Sequence, residues 1–197
     1  MTVAMGVYLF AIAYILAHLE IQIEGPHGWA AKLPTWRWDS PGVLRWAGKP
    51  ITGYHVCLIS FILLFIHFPA MSQVWSLERE GETLSLFFLL AVFWDFLWFV
   101  CNPHFGLARF NAGQVWWFKK WFLGLPASYF SGLVLSMAAY AAPGLLPGGS
   151  LSWAERALHW GSVFAVLLVG ALAMVAAHAR RRAPMADVPE VAKVAKT

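Results

Sequence analysis

Charged side chains are scarce in this sequence. Of its 197 residues, 14 are Lys or Arg and 10 are Asp or Glu, 12% in all, where soluble domains carry about a quarter. Such a chain cannot cover a globular surface with polar groups, which makes lipid its natural solvent. Cysteine is scarcer still: Cys57 and Cys101 form no CxxC pair and both lie in apolar runs, so they read as reduced core thiols and exclude a disulfide framework. Phosphate-binding loops are also missing, since Phe105-Gly106-Leu107 carries a single glycine, and no nucleophile elbow or Ser–His–Asp set stands out. The net charge of +4 comes from residues scattered through short loops. That scatter excludes a nucleic-acid partner and favours anionic lipid headgroups.

What the chain has instead is apolar length. Hydrophobic residues make up 60%, with 12 Trp and 15 Phe, and the mean hydropathy is +0.62. Five runs, residues 3–19, 53–72, 84–101, 121–142 and 154–177, each approach the length that spans a hydrocarbon core. No basic residue precedes the first run, so it is expected to stay as a helix rather than be cleaved at Ala11-Ile12-Ala13. Twelve of the fourteen basic residues fall on one side of the resulting topology; Arg79 and Arg156 fall on the other. The positive-inside rule then orients the chain N-out and C-in. The expected fold is an all-α integral membrane protein of about five transmembrane helices in the plasma (inner) membrane. Residues 1–178 would form the membrane domain and 179–197 a basic, disordered cytoplasmic tail.

The cytoplasmic loops mix aromatic and basic residues. Trp29, Trp36, Trp38 and Trp46 lie among Lys32, Arg37, Arg45 and Lys49, while Trp116 and Trp117 precede Lys119 and Lys120. Segments of this kind lie in the headgroup layer. Gly124, Ser128, Gly132 and Ser136 recur at four-residue spacing in the fourth run. Gly161, Ala165, Ala173 and Ala177 offer small residues in the fifth, so these two helices are expected to pack on each other.

Polar residues gather at one depth. His18, Glu20, Glu24, His55, Asp95 and Asn102 fall at the cytoplasmic ends of the first three runs, with His27 and His104 in the adjoining loops. Ionisable groups at membrane depth are costly and mark function. Glu20 and Glu24, four apart, share a helix face, and two such carboxylates repel unless a proton or cation lies between them. His18 lies well over 100° around that helix and cannot join them. Metal ligands are expected among Glu20, Glu24, His27, His55 and His104, the donor types of zinc, iron or manganese. Asp95 and His55 are the expected catalytic groups. Lys32, Arg37, Trp36, Trp98 and Asn102 would bind substrate, with Lys32 and Arg37 on an anionic headgroup. A plainer alternative pairs the two glutamates with Arg37 or Lys32.

Bis-His haem ligation through His67 and His159 is a weaker alternative, because the inner and outer histidines are unequally spaced on their helices. The leading functional expectation is a membrane-embedded enzyme acting on a lipid or other hydrophobic substrate at the cytoplasmic boundary. A small proton- or cation-coupled transporter protomer comes second. A non-catalytic partner subunit, with the polar set as helix glue, comes third; membrane lipids are the expected partners, with a homo-oligomer or a complex with another subunit as the assembly.

Overall fold

The computed structural model describes residues 3–38, 49–146 and 150–182. Arg45, Trp46, Lys193, Lys196 and the tail expected after Arg182 lie outside the described residues. Among the described residues five α-helices make the fold: α1 (Val3–Glu24), α2 (Gly53–His67), α3 (Leu77–Cys101), α4 (Ala127–Ala141) and α5 (Trp153–Arg182). Four segments, Val3–Glu24, Gly53–Ser72, Leu77–Cys101 and Trp153–Arg180, are long and apolar enough to cross a membrane. At 1.5 Å per residue, the 25-residue α3 is about 37 Å long.

Helix starts fall where the sequence supplies caps. Thr52 accepts a hydrogen bond from the His55 N–H (3.3 Å) ahead of α2, and Ser76 from the Arg79 N–H (3.3 Å) ahead of α3. Before α5, Ser152 and Glu155 cap each other reciprocally, with the Glu155 N–H on Ser152 Oγ (3.3 Å) and the Ser152 N–H on Glu155 Oε2 (2.9 Å).

Contacts between helix ends fix the direction of each helix. Asn102, following α3, donates to the Gly25 carbonyl after α1 (2.8 Å), so α1 and α3 run parallel. Glu24 at the end of α1 lies beside His55 at the start of α2, which therefore runs the other way. Tyr129 early in α4 meets Asp95 late in α3, while Ser136 meets Ser85 further back, an antiparallel pair. Gly6 of α1 faces Val166 of α5 and Phe10 faces Gly170, so α1 and α5 ascend together. The start of α1 and the end of α5 consequently lie at opposite ends of the bundle.

The central element is α3, in which Leu89, Leu90, Leu97, Phe99 and Val100 are almost wholly buried. Buried α1 positions Gly6, Leu9, Ala13, Ala17, Ile21 and Glu24 form one stripe at helical spacing. By contrast α2 is loosely attached: Val56, Ile59, Phe61, Leu64 and Phe65 are all exposed.

Two short ladders shape the loops at the end that holds the polar residues. Strand β1 (Arg37–Trp38) pairs antiparallel with β2 (Ile51–Thr52), bringing both ends of the loop between α1 and α2 together. Strand β3 (Trp121–Phe122) pairs with β4 (Leu125–Pro126). This second ladder corrects the expected helix over 121–142, which begins only at Ala127. Leu123 and Gly124 turn the chain at φ 48° and 78°, the two positive φ values of a type I′ hairpin. The 15 residues of α4 rise about 22 Å, and a 3-10 segment, Ala142–Leu145, prolongs it.

The expected packing of α4 on α5 through small residues also needs correction. Gly124 lies in the hairpin turn with open space around it, and Ser128 is exposed. Gly132 faces α3, where a Cβ would stand 2.7 Å from Val92 Cγ2. Only Ser136 reaches α5: it donates to the Ser85 carbonyl (2.8 Å) and accepts from the Trp160 indole (2.8 Å). On α5, Gly161 meets nothing and Ala165, Ala173 and Ala177 are exposed. The helix pairs that pack most extensively are α3 with α4, and α1 with α3 and α5. Periodicity reveals which residues share a face but not which neighbour covers it.

Candidate functional site

The polar end of the bundle encloses a cavity of about 200 Å³. Glu20 and Glu24 enter it from α1, His55 from α2, and Asp95 and Trp98 from α3. Lys49 and Trp29 close it from the loop between α1 and α2. One potential metal-ligating oxygen or nitrogen from each of Glu20, Glu24 and His55 lies within 4.8 Å of the others. His55 Nε2 stands 3.9 Å from Glu20 Oε1 and 3.7 Å from Glu24 Oε1.

Local sequence explains this placement. Thr52, the cap of α2, also lies 2.7 Å from His55 Nδ1, so one hydroxyl fixes both the first turn and the ring. On α1 the four-residue spacing puts both glutamates on the face that also buries Ala17 and Ile21. Past Glu24 the chain turns sharply, with Trp29 and Ala30 at φ 47° and 51°. Left-handed backbone at non-glycine residues costs about 1–2 kcal/mol each. Here it swings the Ala30 N–H onto Glu24 Oε1 and stacks the Trp29 ring on His55, centroids 3.8 Å apart. Gly28 is required where the backbone passes Trp117, whose ring would stand 2.5 Å from a Cβ.

Lys49 sits over the Trp29 ring at 3.3 Å from its centroid and over Phe118 at 4.8 Å. Burial pushes its pKa down to about 8, while Asp95, Glu20 and Glu24 pull the other way. The Tyr129 hydroxyl of α4 donates to Asp95 Oδ2. The Trp94 indole lies near enough to Glu20 to interact with it, yet neither it nor the Trp98 indole makes a hydrogen bond of good geometry.

Of the expected ligands, Glu20, Glu24 and His55 come together and His27 and His104 do not. Both of the latter are exposed. The turn after Gly25 carries His27 away, and the His104 backbone is occupied by an Asn102-centred turn (2.9 Å). His18 packs against Tyr14 instead, with ring centroids 4.3 Å apart and the planes tilted by 42°.

The expected substrate residues separate. Lys32 and Arg37 are exposed, and Arg37 donates to the Ala30 carbonyl. Among the described residues, the ion-pair partner within 4.0 Å of Glu20 and Glu24 is His55, not Arg37 or Lys32. Trp36 covers Gly53 at the start of α2, outside the cavity lining. Trp98 lines the cavity. Asn102 is fully buried but occupied, donating to Gly25 O and accepting from the N–H groups of His104 and Phe105. It locks α3 to α1 rather than facing a ligand.

Of the two histidines in the alternative haem reading, His67 is already occupied. His67 Nδ1 lies 2.6 Å from the Leu63 carbonyl and Nε2 lies 3.2 Å from Glu80 Oε1, so both ring nitrogens are engaged.

Sequence reasoning missed Lys49, Trp29 and Tyr129. Lys49 counted only as loop charge and Tyr129 only as part of an apolar run. The one available signal was Thr52, three residues ahead of His55, which is the spacing of a helix cap.

No protein-family model matches this chain, and neither a curated protein nor a solved structure matches it.

Proposed function

We propose that the chain is a membrane-embedded enzyme whose polar site at one membrane boundary holds a divalent metal and acts on a hydrophobic substrate. The observation that carries this reading is the charge within one cavity. Three carboxylates, Glu20, Glu24 and Asp95, line it with one ammonium, Lys49. If all were ionised, two negative charges would be left without a partner, a costly state in a low-dielectric space. A divalent cation between Glu20, Glu24 and His55 would cancel them.

The ligand atoms stand slightly wider than the roughly 3.3 Å between neighbours on a tetrahedral zinc. With Nδ1–H on Thr52, His55 would offer its Nε2 lone pair to the ion. Asp95, held at one oxygen by Tyr129, would take or deliver a proton. Ile59, Phe87 and Ala91 form an apolar wall beside these groups, which suits a substrate arriving from lipid. The polar residues face one another across the cavity, which favours a site over residues that glue a partner subunit. The alternating helices, together with the basic loops, support an N-out, C-in orientation in the plasma membrane.

Elemental analysis of the detergent-purified protein tests the metal. Close to one equivalent of zinc, iron or manganese is expected, reduced at least tenfold by His55→Ala and by Glu24→Gln. Metal content unaffected by either substitution would overturn the assignment.

A further inference from the structure

Two further spaces adjoin the cavity, and both reach Lys49. One, about 400 Å³, is bordered by Lys49, Lys119 and Lys120 together with Ser128 and Ser131. The other, about 310 Å³, is a largely apolar groove between α3 and α4, lined by Phe88, Val92, Gly132 and Leu135 and headed by Asp95 and Lys49. Ser128 and Ser131 line both, so the lysine-rich space opens into the groove. Gly132 keeps the groove open, because a Cβ there would press on Val92 at 2.7 Å.

We infer that this pair of spaces binds an amphiphile with a phosphate head, its phosphate among the three lysines and its chain along α3 and α4. Charge complementarity selects the occupant. Three lysines on one space match a dianionic oxyanion with several acceptors, and they repel a cationic head. Away from its head, where Lys49 and Asp95 lie, the groove is lined by Phe88, Val92, Gly132 and Leu135 and takes hydrocarbon. Lys49 borders all three spaces and would deliver the phosphate to the edge of the Glu20–Glu24–His55 group. The inference deepens the enzymatic reading by naming the substrate class, but binding at the lysines needs no metal. Lys119 and Lys120 are exposed, and the loop before α4 presents them at the end of the bundle where a headgroup layer would lie.

The test is binding of dodecyl phosphate to the purified full-length chain in neutral detergent, with EDTA present, followed by intrinsic tryptophan fluorescence. Dodecanol, dodecyltrimethylammonium and inorganic phosphate are measured in parallel. Dodecyl phosphate is expected to bind saturably and at least tenfold more tightly than each of the three. The double variant Lys119→Gln/Lys120→Gln should weaken it at least tenfold. Leu135→Trp, at an exposed position that lines the groove and not the lysine-rich space, should fill the groove and weaken dodecyl phosphate without changing the affinity for inorganic phosphate.

Equal binding of the cationic amphiphile, or affinity unmoved by the lysine variant, would overturn the inference. Tighter binding of inorganic phosphate than of dodecyl phosphate would assign the lysines to a free anion and overturn the chain groove. Because EDTA is present throughout, failure of the metal assignment leaves these outcomes readable.

Discussion

Tyr129 of α4 donates its hydroxyl hydrogen to Asp95 of α3, joining two antiparallel helices at the edge of the polar cavity. A hydrogen bond to a charged group contributes about 1.5–3 kcal/mol. Tyr129→Phe and Asp95→Asn should therefore be non-additive. In a double-mutant cycle by thermal unfolding in detergent, a coupling of about 1.5–3 kcal/mol is expected. Additive losses would mean that the two side chains do not interact.

Lys49 makes stability depend on pH in a predictable direction. Its pKa falls from an ordinary 10.5 to about 8 in the folded chain, chiefly through burial. Between these values the unfolded chain binds more protons than the folded one, so stability rises with pH across this window. The slope from this group approaches about 1.4 kcal/mol per pH unit. Below about pH 8 the lysine is charged in both states and its contribution is flat. Subtracting the pH profile of Lys49→Met from that of the parent should isolate this rise. A difference that is flat from pH 8 to 10.5 would contradict it.

The packing of α4 yields a contrast between two helices. Gly132→Leu should lower stability by about 1–3 kcal/mol through overpacking against α3, and Val92→Ala should relieve part of that loss. Ala165→Leu on α5, at an exposed position, should cost little. Thermal unfolding of all three variants decides the matter, and the reverse order would restore an α4–α5 interface.

Much of this was legible in the sequence, and the omissions share a cause. Length and hydropathy locate α1, α2, α3 and α5, because a long apolar run has few other ways to satisfy its backbone. The hairpin at Trp121–Pro126 escaped because Trp-Phe-Leu-Gly-Leu is as apolar as the helix after it. The Glu20–Glu24 face followed from helical spacing, and the convergence of His55 and Asp95 upon it from depth alone. Lys49 could not be found that way. Its place depends on two left-handed residues, Trp29 and Ala30, and on a ladder joining residues 37 and 52. Lys32 and Arg37 had the right chemistry for an anion, but the same turn carries them outward.

Orientation is open to direct labelling. Single cysteines placed in the Lys32–Lys49 loop and in the C-terminal tail should react with a membrane-impermeant maleimide only after the membrane is opened. Cysteines in Glu78–Glu82 should react in intact cells. Labelling of both termini from the same side would remove the odd number of crossings.

Most of the circumference of α2 faces outward, and the helix is held by Thr52 and Trp36 at one end, by the His67–Glu80 contact at the other and by the buried Ile62 between them. A stave held at three points can bow only in the spans between them. His55 lies one turn from Thr52, so bowing would displace it little, while Ile59, in the span between Thr52 and Ile62, can move relative to Phe87 across the cavity. The width of the cavity on this side rests with α2, whereas its three carboxylates are carried by α1 and α3, so one can change while the other stands.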